Sequence, residues 1–197
     1  MGTIRAFIAV ALAALILDAG PAAAQSSSGR WLDRNPPRNW NHPGMRLPRA
    51  PRHARPTPRE LRLCGKPRAP RRAEERAVVR AGWQLMGKAR RVGDVTIIDA
   101  KTANDGMCRP NGYQLFAFVG GRFAGTISPR IMNARTDGAA GGRIQWIGGA
   151  FRVEFFRYRR RDPLCCPSRK SVLTLGVGSV AGRPVLFPVS VRTTQMK

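Results

Sequence analysis

GYQLFAFVGGRFAGTIS, Gly112–Ser128, reads as two strands, Tyr113–Val119 and Arg122–Ile127, joined by Gly120-Gly121. A Gly-Gly pair between apolar runs marks a tight hairpin, because both turn positions need positive φ. The first strand is apolar on both faces: Tyr113, Leu115, Ala117 and Val119 on one, Phe116 and Phe118 on the other. Two-sided apolarity predicts a central strand covered from both sides.

Outward from this hairpin the pattern stays β-rich. Asp94–Ala100 alternates, and Asn104-Asp105-Gly106 is a turn. Pro129–Gly142 reads as a loop. A second Gly-Gly hairpin then joins Arg143–Ile147 to Ala150–Tyr158 through Gly148-Gly149. Phe151, Val153 and Phe155 alternate with Arg152 and Glu154, which predicts one dry and one wet face. Ser171–Val177 and Val185–Val191 add two more strands. Before them, Ala73–Ala81 reads as a helix, with Glu74 and Glu75 in the first turn where the dipole favours anions. Trp83–Met86 stays open between helix and strand, since Gly82 and Gly87 weaken helical spacing. The fold class is α+β, mostly β: an antiparallel sheet of about seven strands with one N-terminal helix, stabilised by disulfides. Its globular part spans residues 73–197.

Two regimes precede it. Met1–Arg5 is positively charged, Ala6–Leu17 is unbroken apolar chain, and Ala22-Ala23-Ala24 offers small residues to a peptidase. That is the pattern of a signal peptide, residues 1–24, cleaved after Ala24; the bland alternative is an uncleaved N-terminal anchor. Residues 25–72 hold nine prolines, and thirteen lysines and arginines against Asp33 and Glu60. Prolines at this density exclude helix interiors and central strands. A disordered, basic, Pro/Arg-rich arm is expected, working as a solvated spacer or as a polymer-docking arm anchored by Trp31 and Trp40.

The address and the charge set the function classes. Export, to a periplasmic or extracellular location, makes disulfides the favoured reading of four cysteines. Thirty-five lysines and arginines against eleven acids give +24, which draws polyanions and anionic surfaces at low salt. After export the expected partners are anionic envelope polymer or lipid headgroups rather than a specific nucleic acid. Four cysteines allow three complete pairings. Pairing Cys165 with Cys166 closes a ring across one peptide bond, where Cα atoms lie only about 3.8 Å apart. The expectation is therefore two long-range bonds, Cys165 and Cys166 each tied to one of Cys64 and Cys108, with the choice of partner open. Such a staple joins the two hairpins and the root of the arm. Arg157, Arg159, Arg160 and Arg161, with Arg169 and Lys170, then form a fixed basic rim around the corner, an anion-binding candidate set against a solvated strand end.

GRFAGTISP (121–129), RTDG (135–138) and DPLCCPSR (162–169) resemble the pattern of exported bacterial proteins of the LppP/LprE lipoprotein type and their secreted relatives. The similarity covers roughly residues 75–192. It implies an envelope location and brings no catalytic residues with it. The cysteine that would carry the lipid is missing from this sequence.

Chemistry on the chain is sparse. Nucleophilic cysteine or serine needs a base, usually histidine. Both histidines, His42 and His53, lie in the arm. Four thiolates could hold zinc, but the Cys-x-x-Cys spacing is absent. No phosphate loop is present, and the glycine pairs, Gly141-Gly142 among them, read as turns. No metal and no cofactor is expected. The leading function is a secreted or periplasmic module without enzymatic activity. The alternatives are an envelope hydrolase using a carboxylate pair, which needs a cleft between two acids, and a nucleic-acid binder working through the arm.

Overall fold

The hairpin at Gly120-Gly121 forms as expected, with φ of +54° and +79° at the two glycines. It joins β3 (Pro110–Val119) to β4 (Arg122–Thr126) in the computed structural model, which describes residues 30–196. The expected signal peptide and its cleavage point lie outside the described residues. With β1 (Gln84–Val92) and β2 (Val95–Asn104), these strands make an antiparallel sheet in the order β1-β2-β3-β4. A second sheet, β5-β6-β7-β8, contains β5 (Ala139–Ile147), β6 (Ala150–Arg157), β7 (Arg169–Val180) and β8 (Arg183–Gln195). The expected single sheet of about seven strands is thus corrected to two sheets of four. The connection after β4 is the reason: it is no tight turn, and it pairs back on β3 through a Tyr113–Met132 bridge before starting the second sheet. Gly141-Gly142, expected as a turn, lies inside β5 where the register slips between Ala140 and Ile144.

Of Trp83–Met86, open between helix and strand by sequence, Gln84–Met86 resolves as strand and Trp83 lies just before β1. Among the described residues two α-helices, not one, precede the sheets: α1 (Pro58–Cys64) and α2 (Ala73–Arg80). Thr57 caps α1, its Oγ1 accepting from Glu60 N at 3.1 Å, and Pro58 opens the helix where no N–H partner is needed. In α2, Glu75 accepts from the amides of Arg71 and Arg72 at 2.6 and 3.2 Å.

The two faces of β3 sort as the alternation demands. Tyr113, Leu115 and Ala117 are buried with Val95 and Ile97 of β2, and face Phe151, Val153, Phe155, Leu173 and Leu175 of the second sheet in one shared core. Phe116 and Phe118 pack on the opposite side with Trp83, Leu85, Ile98 and Val78 of α2. The structure is a sandwich of two sheets with an extra layer outside the first.

Part of that extra layer, Leu47 and Ala50, and part of the main core come from the segment expected to be a solvated arm. A 3-10 turn, Arg30–Asp33, places Leu32 in the shared core at 1% exposure. Trp31 packs edge-on against Phe155, with ring centres 5.6 Å apart, and against Trp40 at 5.3 Å. Asn35 Oδ1 accepts from Val191 N on β8 at 3.1 Å. Asn41 then pairs with the free edge of β4: its Oδ1 accepts from Thr126 N at 2.9 Å and its Nδ2 donates to Thr126 O at 3.0 Å. A side-chain amide here does the work of a neighbouring strand. Further on, Ala50 N donates to Ala81 O, and Trp83 Nε1 to Pro48 O, both at 2.8 Å. The disordered-arm expectation is corrected over these residues. Proline density confines regular structure in this segment to a 3-10 turn and the short α1, but it does not stop isolated large side chains from docking in pockets left by others.

Candidate functional site

The four cysteines form two disulfides, but not the expected staple. Cys64 bonds Cys108 across a Cα separation of 5.1 Å, and Cys165 bonds Cys166. The physical reason is the seat of α1. Glu60 Oε1 accepts from the amide and the side chain of Asn104, at 3.3 and 3.2 Å. This sets the end of α1 against the β2–β3 turn that carries Cys108. With those two thiols joined, Cys165 and Cys166 are left to each other. The root of the arm is pinned as expected, but to the β2–β3 turn. Contact between that turn and the Cys-Cys corner is made by Arg109, whose Nη1 donates to Leu164 O at 3.0 Å.

The basic rim is only partly assembled. Arg157 is buried and forms a two-pronged ion pair with Asp33 of the arm, Nη1–Oδ1 at 2.7 Å and Nη2–Oδ2 at 2.9 Å. The guanidinium beside Asp33 holds its carboxyl below the usual range. Arg169 adds a weaker pull on the same carboxylate. Lys170 pairs with Glu154 at 3.2 Å. Arg159, Arg160 and Arg161 stay exposed next to the exposed Cys165-Cys166 corner. Asp162 organises that corner: its Oδ2 accepts from Arg159 N at 2.6 Å and from Ser168 N and Oγ at 3.0 and 2.8 Å. These donors, the Arg159 amide first, depress its carboxyl. Arg135 lies over the Tyr158 ring at 4.2 Å and donates to Asp162 O at 3.0 Å, bracing the corner from behind.

Four further carboxylates are bound to cations. Arg68 takes Glu75 at 2.7 Å, Arg109 takes Asp105 at 2.6 Å, and Arg130 takes Asp137 at 3.2 Å. Arg90 pairs with Asp99, whose carboxyl burial pushes up against the pull of that guanidinium. Glu60 and Asp105 share a cleft of about 280 Å³ beside the Cys64–Cys108 bond. Burial pushes Asp105 up, but the Arg109 amide and guanidinium and the Met107 amide pull harder, so it sits below the ordinary value. His42 and His53 remain exposed on the arm. Among the described residues, no group of three His, Cys, Asp or Glu is placed to hold a metal ion.

A different cleft, missed by sequence reading, lies where the docked arm meets the β4–β5 connection. It encloses about 400 Å³ and is lined by Trp31, Trp40, Arg34, Arg38, Asn39 and Arg130, with Pro37 and Pro129. Trp40 is fixed by its Nε1, which donates to Thr126 O at 2.9 Å. Trp31 Nε1 is buried and meets no acceptor among the described residues. Sequence gave a signal in Trp31 and Trp40, two large groups in a polar segment. Only the docked arm could set them beside Arg130, about ninety residues further on.

The fold and its surface define a disulfide-bonded β-sandwich with a strapped-on basic arm. Its central segment, residues 94–176, matches the family model of the LppP/LprE lipoproteins. The match is to a lipoprotein-type domain, which suggests an envelope-associated protein. It covers less of the chain than the motifs alone implied, ending within β7 and leaving out the arm, both helices and β1. No curated protein and no solved structure matches the chain significantly. No helix among the described residues is long and apolar enough to cross a membrane.

Proposed function

We propose that this chain is an exported module of the cell envelope, without enzymatic activity, that associates with anionic envelope polymer or lipid headgroups. The observation that carries this reading is the imbalance left after internal pairing. Thirty-five basic residues meet eleven acids, and six acids are held in ion pairs within the fold. The uncompensated charge lies outside, at Arg159–Arg161 and along the exposed arginines Arg46, Arg49, Arg52 and Arg55 of the arm. Such a surface binds polyanions through screened Coulomb attraction, strongest at low ionic strength. Binding to vesicles of phosphatidylglycerol in phosphatidylcholine, measured by sedimentation, should fall at least tenfold between roughly 0.02 and 0.3 M salt. Equal binding to neutral vesicles, or indifference to salt, contradicts the reading.

A second reading, a carboxylate-dependent hydrolase, draws on the Glu60–Asp105 cleft. Paired-carboxylate chemistry needs one carboxyl kept protonated near neutral pH. Asp105 is taken up by the amides of Met107 and Arg109 and by the Arg109 guanidinium, which favours the structural role of bracing the β2–β3 turn. Binding of nucleic acid through the arm is the weaker alternative, since the arm's two tryptophans sit edge to face at one place instead of presenting stacking platforms spaced along an open strand.

A further inference from the structure

We infer that the cleft between the docked arm and the β4–β5 connection is a binding site for a saccharide bearing a carboxylate, of the uronate type. The inference concerns a discrete site and goes beyond the diffuse surface attraction proposed above. Three features point to this ligand class. The first is charge. Arg34, Arg38 and Arg130 line the cleft and no carboxylate does. Of the nearby acids, Asp33 is engaged by Arg157, while Asp137 pairs with Arg130 itself and with the Asn133 amide, so Arg34 and Arg38 carry the attraction. An anionic group is favoured there, and exposed guanidinium forks at Arg34 and Arg38 match a carboxylate in shape as well as sign.

The second feature is the arrangement of the indoles. Trp31 and Trp40 stand at 75° to one another instead of forming a parallel slot. A parallel slot suits a flat aromatic ring. Two indoles in edge-to-face contact leave only their outer surfaces to a ligand, aromatic ground for the C–H groups of a sugar ring, with the arginines beside them for its oxygens. Both indoles are half-buried and held, Trp40 by Thr126 O and Trp31 by Phe155, so little order is lost when a ring settles on them.

The third feature is the buried Trp31 Nε1, a donor with no acceptor among the described residues. Leaving such a donor unsatisfied is costly, and a small turn of the Trp31 ring toward the cleft would bring it a sugar hydroxyl or carboxylate oxygen. Asn39 adds an amide, steadied through its Oδ1 by the Asn41 amide at 3.1 Å. The volume, about 400 Å³, falls in the range of about 300–1,000 Å³ usual for small-molecule sites.

The test uses the purified chain and three probes: trigalacturonate, neutral galactotriose and inorganic phosphate. Titration is followed by tryptophan fluorescence and by calorimetry. Trigalacturonate should bind saturably at one site, with the fluorescence of the indoles shifted, and at least ten times more tightly than galactotriose. Arg34→Gln and Arg38→Gln change exposed residues and should not unfold the protein. Each should weaken trigalacturonate binding by roughly tenfold, as expected for loss of a charged hydrogen bond. Trp31→Phe keeps a ring but removes the N–H, and should weaken binding by a smaller factor. Equal affinity for galactotriose overturns the inference, as does displacement of trigalacturonate by equimolar phosphate. Arginine variants that bind as well as the parent overturn it too. If those variants keep salt-sensitive vesicle binding while no variant titrates with trigalacturonate, the cleft is refuted and the surface reading stands.

Discussion

Gly125 and Asn41 make the closest joint between arm and sheet. Gly125 sits at φ +140°, and a Cβ there would collide with Asn41 Oδ1. Gly125→Ala should therefore expel Asn41, leave the Thr126 amide without its partner and the Thr126 carbonyl with Trp40 Nε1 alone, and lower stability by about 1–3 kcal/mol. Gly148→Ala is the control, because it also sits at positive φ but a Cβ there meets nothing within 4 Å. Urea midpoints of the two variants separate contact from backbone strain; an equal loss in both would argue against the joint. A second expectation concerns acid. Arg68, helped by the amides of Arg71 and Arg72 and opposed by burial, lowers Glu75 to about 2 from 4.5. A carboxyl with a depressed folded value stabilises the fold fully above its unfolded value and loses that contribution as pH falls through the folded one. Asp33 is lowered in the same sense. Thermal melts should thus drop between about pH 4.5 and 2, and Glu75→Gln should flatten the drop. An unchanged profile in that variant would refute the assignment. Glu75 in a first helical turn was readable from sequence; its three donors, two of them amides outside the helix, were not.

Among the elements, the strands were the most legible, because a period of two and Gly-Gly turns are local signals. The two faces of β3 and the dry face of β6 follow directly from alternation. The split into two sheets was not legible. It depends on where the β4–β5 connection goes, which is decided by long-range pairing with β3. The β7–β8 turn was also unseen, since it places Ala181 at φ +49° before Gly182, a sequence with a single glycine to announce it. Helix α1 shows the same limit. None of its seven residues is buried, and so short a run shows no apolar stripe to betray it. Its consequence is large, for it carries Cys64 to Cys108 over a separation of 44 residues. Closing a loop of that size is worth about 4 kcal/mol in the chain-entropy model. Cys64→Ser with Cys108→Ser should lower stability by an amount of that order. Non-reducing peptide mapping should recover a Cys64–Cys108 peptide and a linked Cys165–Cys166 pair. A peptide joining Cys108 to either corner cysteine would contradict this connectivity and restore the stapled hairpins.

For the whole molecule, the arm decides both fold and site. Without it, the shared core lacks Leu32 and the packing of Trp31, the β4 edge is open, and the Trp–Arg cleft has no wall. Composition pointed away from this, because proline and arginine dominate the segment and its few apolar groups are spaced without period. What composition cannot weigh is the size of those groups: a buried leucine or tryptophan stabilises by several kcal/mol, enough to offset the ordering of a short strap. Leu32→Ala should accordingly lower stability by about 2–5 kcal/mol, far more than a substitution in a solvated spacer. Hydrogen–deuterium exchange across residues 30–50 of the intact chain is the most direct test. We expect the amides of Asn41 and Ala50 and the Thr126 amide to exchange together, as slowly as their neighbours in β4. Exchange of the arm amides within seconds, with β4 still protected, would contradict a docked arm and remove the cleft with it.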